Sequence, residues 1–138
     1  MRKVLIIDGQ GGGIGSKMVK SLAPLLPPDC ELICVGTNSI ATNAMLKAGA
    51  ARAATGENAV IYNAGRADVI LGPIGIIMAN AILGEVTPKM AAAVSGSEAK
   101  KLLIPSQSCN VYITGVGEQR LEEHIHDAVN HAMELLSC

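Results

Sequence analysis

The residues best equipped for chemistry fall in one run, Asp8-Gly9-Gln10-Gly11-Gly12-Gly13-Ile14-Gly15. Glycines let the backbone turn sharply and let a phosphate approach peptide N–H groups, and a helix start adds partial positive charge. Packing alone rarely requires so many glycines. Gly9, Gln10, Gly11, Gly12, Gly13, Ile14 and Gly15 are therefore expected to hold a phosphate. Asp8 is awkward there, because its carboxylate repels a pyrophosphate unless it turns away, bridges through Mg²⁺, or binds a hydroxyl or amine. Two roles are open to it: acid–base catalysis, or accepting backbone N–H bonds that fix the loop.

The spacing tests which phosphate chemistry the run suits. The dinucleotide fingerprint G-x-G-x-x-G fails, since its last position falls on Ile14 counted from Gly9 and on Ser16 counted from Gly11. Gly9, Gly13 and Gly15 give G-x-x-x-G-I-G, which looks like the loop of short-chain dehydrogenases. Their Tyr-x-x-x-Lys is absent, however, because Arg66 stands four residues after Tyr62. An NTPase loop fits less well, with its terminal Gly-Lys-Ser/Thr reordered as Gly15-Ser16-Lys17. The second expected strand ends in Gly36-Thr37-Asn38, not in the acidic residue that binds an adenosine ribose. A nucleotide remains the expected cofactor class; NAD(P) stays within it, with Thr37 or Asn38 bonding the sugar.

Further candidates are Gly72, Pro73 and Ile74, a second glycine cluster after a strand, and the polar residues Glu57, Asn58 and Glu85. Glu57 joins Asp8 as a candidate acid–base, against the plainer reading that it supports a helix start. Glu85 reads as a solvated loop charge. His124, His126 and His131 lie on one helix without an i, i+4 ligand pair. Cys30 and Cys34 have no second pair at zinc-ligand spacing, and no metal is expected.

The elements that must position these groups alternate. Residues 3–7 form a continuous apolar run ended by glycines, as in a strand buried on both faces. Ile14, Met18, Val19, Leu22 and Leu25-Leu26 recur at helical spacing until Pro27-Pro28. Strands are expected at 31–35, 52–54, 68–71, 101–104 and 111–116. Helices are expected at 40–48 behind an Asn38 or Ser39 cap, at 76–83, at 87–94 opened by Thr87-Pro88, and from Leu121 to Leu136. Periodicity leaves 60–62 open between helix and strand. The pattern implies one α/β domain over residues 1–138, Rossmann-like, with three α/β/α layers and a mainly parallel sheet. Its glycine and polar clusters then converge beyond the carboxyl ends of the strands.

Composition narrows the partners. The chain has 138 residues, is 49% hydrophobic, and carries two Tyr but no Trp or Phe. With a net charge of −1 it shows no basic footprint for nucleic acid, and it lacks the aromatics that stack single-stranded bases. Its longest apolar stretch, 69–79, falls short of the roughly 20 residues a membrane span needs. A reduced, cytoplasmic protein is expected. Surplus apolar content and Ala- and Gly-rich helices point to a homo-oligomer, dimer or higher.

The segments Ile7 to Gly15 (IDGQGGGIG), Gly36 to Thr42 (GTNSIAT), Met45 to Ala50 (MLKAGA), Ala54 to Ala59 (ATGENA), Asp68 to Ile76 (DVILGPIGI) and Gly84 to Pro88 (GEVTP) together carry a resemblance. The chain resembles, over nearly its whole length, a family of small bacterial proteins known only as a domain of unknown function. That resemblance implies a bacterial, Rossmann-like protein and brings no established activity. Three functions stay open. One is a module binding a nucleotide or other phosphorylated small molecule, with the ligand flanked by Gly36, Thr37, Asn38, Gly72, Pro73 and Ile74. Another is a small enzyme using Asp8 or Glu57. The last is a non-catalytic structural or regulatory homo-oligomer, with residues 72–83 buried between subunits.

Overall fold

The computed structural model describes residues 1–106 and 111–137. Among these, the strands are β1 (Arg2–Asp8), β2 (Cys30–Gly36), β3 (Arg52–Thr55), β4 (Val69–Pro73) and β5 (Lys100–Ile104). The helices are α1 (Gly13–Leu22), α2 (Ser39–Ala48), α3 (Glu57–Ala64), α4 (Pro88–Ser95) and α5 (Leu121–Leu136). The strands lie in the order β3-β2-β1-β4-β5 and every neighbouring pair is parallel. This is the Rossmann-like α/β/α arrangement expected from the alternating pattern.

The two faces of β1 explain why it is apolar throughout. Successive side chains point to opposite faces of a strand. Val4 and Ile6 enter a core with Met18 and Leu22 of α1, Met45 of α2 and Ile125 and Val129 of α5. Leu5 and Ile7 enter a second core with Val60 and Ala64 of α3 and Met90 and Val94 of α4. A central strand covered on both sides has no polar face to show. The α5 stripe of Ile125, Ala128, Val129, Ala132 and Leu136 is buried as its spacing predicts.

Three expected elements differ. Helix α1 stops at Leu22 and tightens into a 3₁₀ turn over Ala23–Leu25, because Pro24 has no N–H to continue the ladder; Pro27-Pro28 come too late to be the stop. Residues 76–83 do not form a helix. A 3₁₀ turn over Ile74–Ile77 gives way to a loop in which Asn80, Ile82 and Leu83 take left-handed backbone angles (φ 67°, 55° and 52°). That loop closes on itself through Asn80 N–H to Val86 O (2.7 Å) and Val86 N–H to Ala81 O (3.1 Å). Residues 111–116 are irregular and not a strand, with Gly115 left-handed at φ 84°. Their β-forming composition finds no ladder partner, and such preference depends on one. The open segment 60–62 resolves as helix, within α3.

Candidate functional site

The winding of the sheet reverses between β1 and β4. From β1 the chain moves through α1 to β2 on one side, and from β3 it crosses back through α3 to β4 on the other. A crevice opens at such a reversal, outside the carboxyl ends of the strands. Here those ends are Asp8 and Pro73. A cavity of about 280 Å³ lies there, lined by Asp8, Gly9, Gln10, Ile14, Pro73 and Gly75 together with Ile82, Leu83 and Ser106. A wider cleft of about 670 Å³ adjoins it, sharing Ile14 and Ser106 and reaching Tyr112 and His124.

The glycine loop divides into two sets. Gly9, Gly12 and Gly15 are buried, whereas Gly11 and Gly13 are exposed. A Cβ at Gly12 would fall 2.9 Å from the Ala41 backbone, and the residue is left-handed at φ 72°. A Cβ at Gly15 would meet Met45 Sδ at 2.6 Å and Asp8 Cβ at 2.8 Å. The fold demands these glycines. At Gly11 and Gly13 nothing lies within 4 Å of where a Cβ would sit. Their N–H groups donate to no described residue, and Gly13 opens α1. Neither glycine is required by packing among the described residues.

Asp8 fixes this loop. Its Oδ1 accepts from Gly9 N–H (2.8 Å) and its Oδ2 from Gly15 N–H (2.6 Å), so the carboxylate spans the turn. The side chain is buried. Burial pushes its carboxyl above the usual carboxylate value, the bonds from Gly15 and Gly9 pull back, and the charge of Glu85 adds to the rise.

Glu85 is not the solvated loop charge that the sequence suggests. It is half-buried, and its Oε1 accepts from Thr37 Oγ1 (2.5 Å), Asn38 Nδ2 (2.8 Å) and Gln10 N–H (3.0 Å). Burial pushes this carboxyl up, but the bonds from Thr37, Gln10 and Asn38 outweigh it and hold it below the ordinary glutamate value. Asn38 is fully engaged: its Oδ1 caps α2 by accepting from Ala41 N–H (2.9 Å), and its Nδ2 also donates to Gln10 O (2.9 Å). Gly36 packs against Thr42. The segment 36–38 thus meets the glycine loop, as expected, but its polar groups face Glu85.

The other candidates disperse. Gly72 lies against Ile7 O in the sheet interior, where a Cβ would also meet Ile76 Cδ1 at 2.9 Å. Pro73 lines the cavity, whereas Ile74 lines another of about 500 Å³ beside α5, which shares Gln119 and His124 with the wider cleft. Glu57 is exposed at the start of α3, where its Oε2 accepts from Thr87 Oγ1 (2.6 Å), and it does not line the cavity at Asp8. Cys34 is buried and its thiol is pushed up to about 12, which leaves it protonated and a poor nucleophile. Cys30 is half-buried at the start of β2, and Cys109 and Cys138 lie outside the described residues. His124 lines the wider cleft, and His131 lines the cavity beside α5. No cluster of three metal-ligating side chains occurs among the described residues. Among them, too, no helix is long and apolar enough to cross a membrane.

Ile82 and Leu83 fall in the helix and the subunit interface expected from the sequence, not in an expected site, and nothing in the sequence singles out Ser106. They reach the cavity only because two loops distant in the chain meet at one sheet edge. The left-handed Ile82 is the most unusual of them, since a β-branched residue rarely takes that conformation and such strain gathers at ligand clamps.

A family model described as a domain of unknown function, DUF3842, matches residues 3–137, and the chain belongs to that family. No curated protein matches it. Among solved structures it is similar to a dodecameric FMN-dependent UbiX-like decarboxylase from Escherichia coli O157:H7. The two share 14% identity over 98% of this chain and 95% of that chain, with a TM-score of 0.55. A second similar structure is the FMN-dependent cysteine decarboxylase TvaF from thioviridamide biosynthesis. It shares 12% identity over 96% of this chain and 87% of that chain, with a TM-score of 0.47. At 14% identity the first likeness is one of fold.

Proposed function

We propose that this protein binds a phosphorylated small molecule in the crevice between β1 and β4, with the phosphate on the backbone of Gly11 and Gly13. One observation carries the reading. Gly11 and Gly13 are exposed, unobstructed and unneeded by the fold, while the glycines around them are accounted for by packing. A residue without a side chain, beside two N–H donors that have no acceptor among the described residues, suits a group that must come close to the backbone.

The cavity supplies the space for the rest of the ligand, bounded by Ile14, Pro73 and Ile82 and continuous with the wider cleft. FMN is the first candidate, because the E. coli protein of similar fold depends on it. Its phosphate suits the open glycines, and its ring system needs the wider cleft as well as the cavity. In such a complex this chain's residues bind, orient and cover the ligand. A second reading, catalysis with Asp8 as the acid–base, draws on the buried and raised Asp8 carboxyl at the cavity wall.

The test is a thermal-shift panel of FMN, AMP, ribose 5-phosphate, NAD and NADP on the wild type and on Gly13→Val. We expect at least one panel member to raise the wild-type Tm, and Gly13→Val to lose that shift while melting within a few degrees of the wild type. A flat panel ends the reading. So does a Gly13→Val variant that responds as the wild type does.

A further inference from the structure

We infer that Glu85 shuts the β2 side of the crevice, so that the ligand is a phosphomonoester lying toward β4 and not a dinucleotide reaching over β2. This rests on the phosphate-binding reading above and names its ligand class and the residue that selects it.

In Rossmann-like sheets that bind dinucleotides, the end of the second strand holds the adenosine ribose, with an acidic side chain on its hydroxyls. In this chain that end is Gly36-Thr37-Asn38, and Glu85 occupies the place of the ribose. Its single oxygen Oε1 takes the Thr37 hydroxyl, the Asn38 amide and the Gln10 N–H. Those three donors are the groups a sugar would need. The closure is also steric. A Cβ on Gly9 would fall 2.5 Å from Thr37 Oγ1, 2.9 Å from Glu85 Oε1 and 3.3 Å from Ile82 Cγ2. The loop after β1, the end of β2 and the loop after β4 therefore touch at one point, with no gap for a ribose ring between them.

The opposite side differs. Toward β4 the same loop borders the cavity of about 280 Å³, walled by Pro73, Gly75 and Ile82, which joins the wider cleft through Ile14 and Ser106. A ligand with one phosphate can leave it on the α1 end of the loop and run its body this way. A dinucleotide needs both sides of the crevice, and one of them is filled by the protein's own carboxylate. Glu85 is thus a specificity-determining residue that acts by occupying a half-site.

The experiment measures binding of FMN, AMP, ribose 5-phosphate, NAD and FAD to the wild type, Glu85→Ala and Glu85→Gln by isothermal titration. In the wild type we expect at least one phosphomonoester to bind more tightly than NAD and FAD by about tenfold or more, one decade being 1.4 kcal/mol. Glu85→Ala opens the β2 side and narrows that ratio by about tenfold or more. Glu85→Gln keeps an acceptor for Thr37 and retains the preference. Dinucleotides that bind the wild type as tightly as the phosphomonoesters overturn this inference while leaving phosphate binding intact. Binding by none of the five overturns both. A Glu85→Ala variant that folds and keeps the wild-type ratio overturns the selecting role of Glu85, and should it fail to fold, Glu85→Ser reads the same ratio.

Discussion

At Asp8 two demands oppose each other. Burial favours the neutral acid, whereas the N–H groups of Gly9 and Gly15 favour the carboxylate, and burial prevails, with the charge of Glu85 adding to the rise. A carboxyl whose folded value lies above its unfolded value binds more protons in the folded state. Its contribution to stability is therefore fully present below about 3.8 and is lost as pH rises through the higher folded value. Asp8→Asn cannot follow this titration. Its amide also turns an NH₂ toward one of the two N–H donors, so we expect a loss of about 1–3 kcal/mol at pH 7. The gap from wild type should then widen on acidification from pH 7 to pH 4, measured by denaturant unfolding. A gap that narrows means the folded Asp8 value is lowered, not raised. Glu85 slopes the other way, because a depressed carboxyl adds stability above its ordinary value and loses it in acid. The same variant serves the enzymatic reading, since loss of turnover without loss of ligand affinity would assign Asp8 to proton transfer.

Between elements, the legible parts of the sequence were those with a local physical cause. Thr87 and Pro88 announce α4, and the structure places Thr87 Oγ1 on Met90 N–H at 3.1 Å, with Pro88 in the first turn. Asn38 announces α2 in the same way. Thr87 also donates to Glu57, which ties the starts of α3 and α4 together beside the second core. Thr87→Ala should cost about 1 kcal/mol from the lost cap, read as a lower denaturation midpoint with an unchanged m-value. A change below about 0.3 kcal/mol would mean that water replaces the cap. What stayed illegible had a distant cause. Glu85 meets Thr37 and Gln10 across 48 and 75 residues, so nothing near it in sequence distinguishes it from a solvated charge. Residues 76–83 carry helical spacing, yet Asn80 turns left-handed and the loop folds back through Asn80 and Val86. The six chain segments of the resemblance include Gln10, Thr37 and Glu85, but a string of residues does not say which carboxylate fills which half-site.

For the whole molecule, the shortage of aromatics and the parallel sheet leave two thin aliphatic cores and a cavity wall that is open at its rim. The expectation that residues 72–83 lie between subunits must be divided. Gly72 and Pro73 are buried in β4, and Gly75 and Ile76 are buried against the second core of the same chain. The loop tip differs, because Leu83 is 92% exposed, left-handed, and among the residues lining the cavity. Covering a leucine side chain stabilises an assembly by about 1.5–3 kcal/mol, which is a reason for a second copy to sit there. We propose a homo-oligomer in which that copy covers Leu83 and closes the cleft. Light scattering should give the wild type as a multiple of the single-chain mass. Leu83→Asp should then shift it toward monomer and weaken the best panel ligand together. Ile40→Asp, at a 70% exposed position on α2, should leave both unchanged. A wild type that stays monomeric at high concentration removes the assembly. A monomeric Leu83→Asp that binds as the wild type does removes the link between assembly and site, and leaves the cavity complete within one chain.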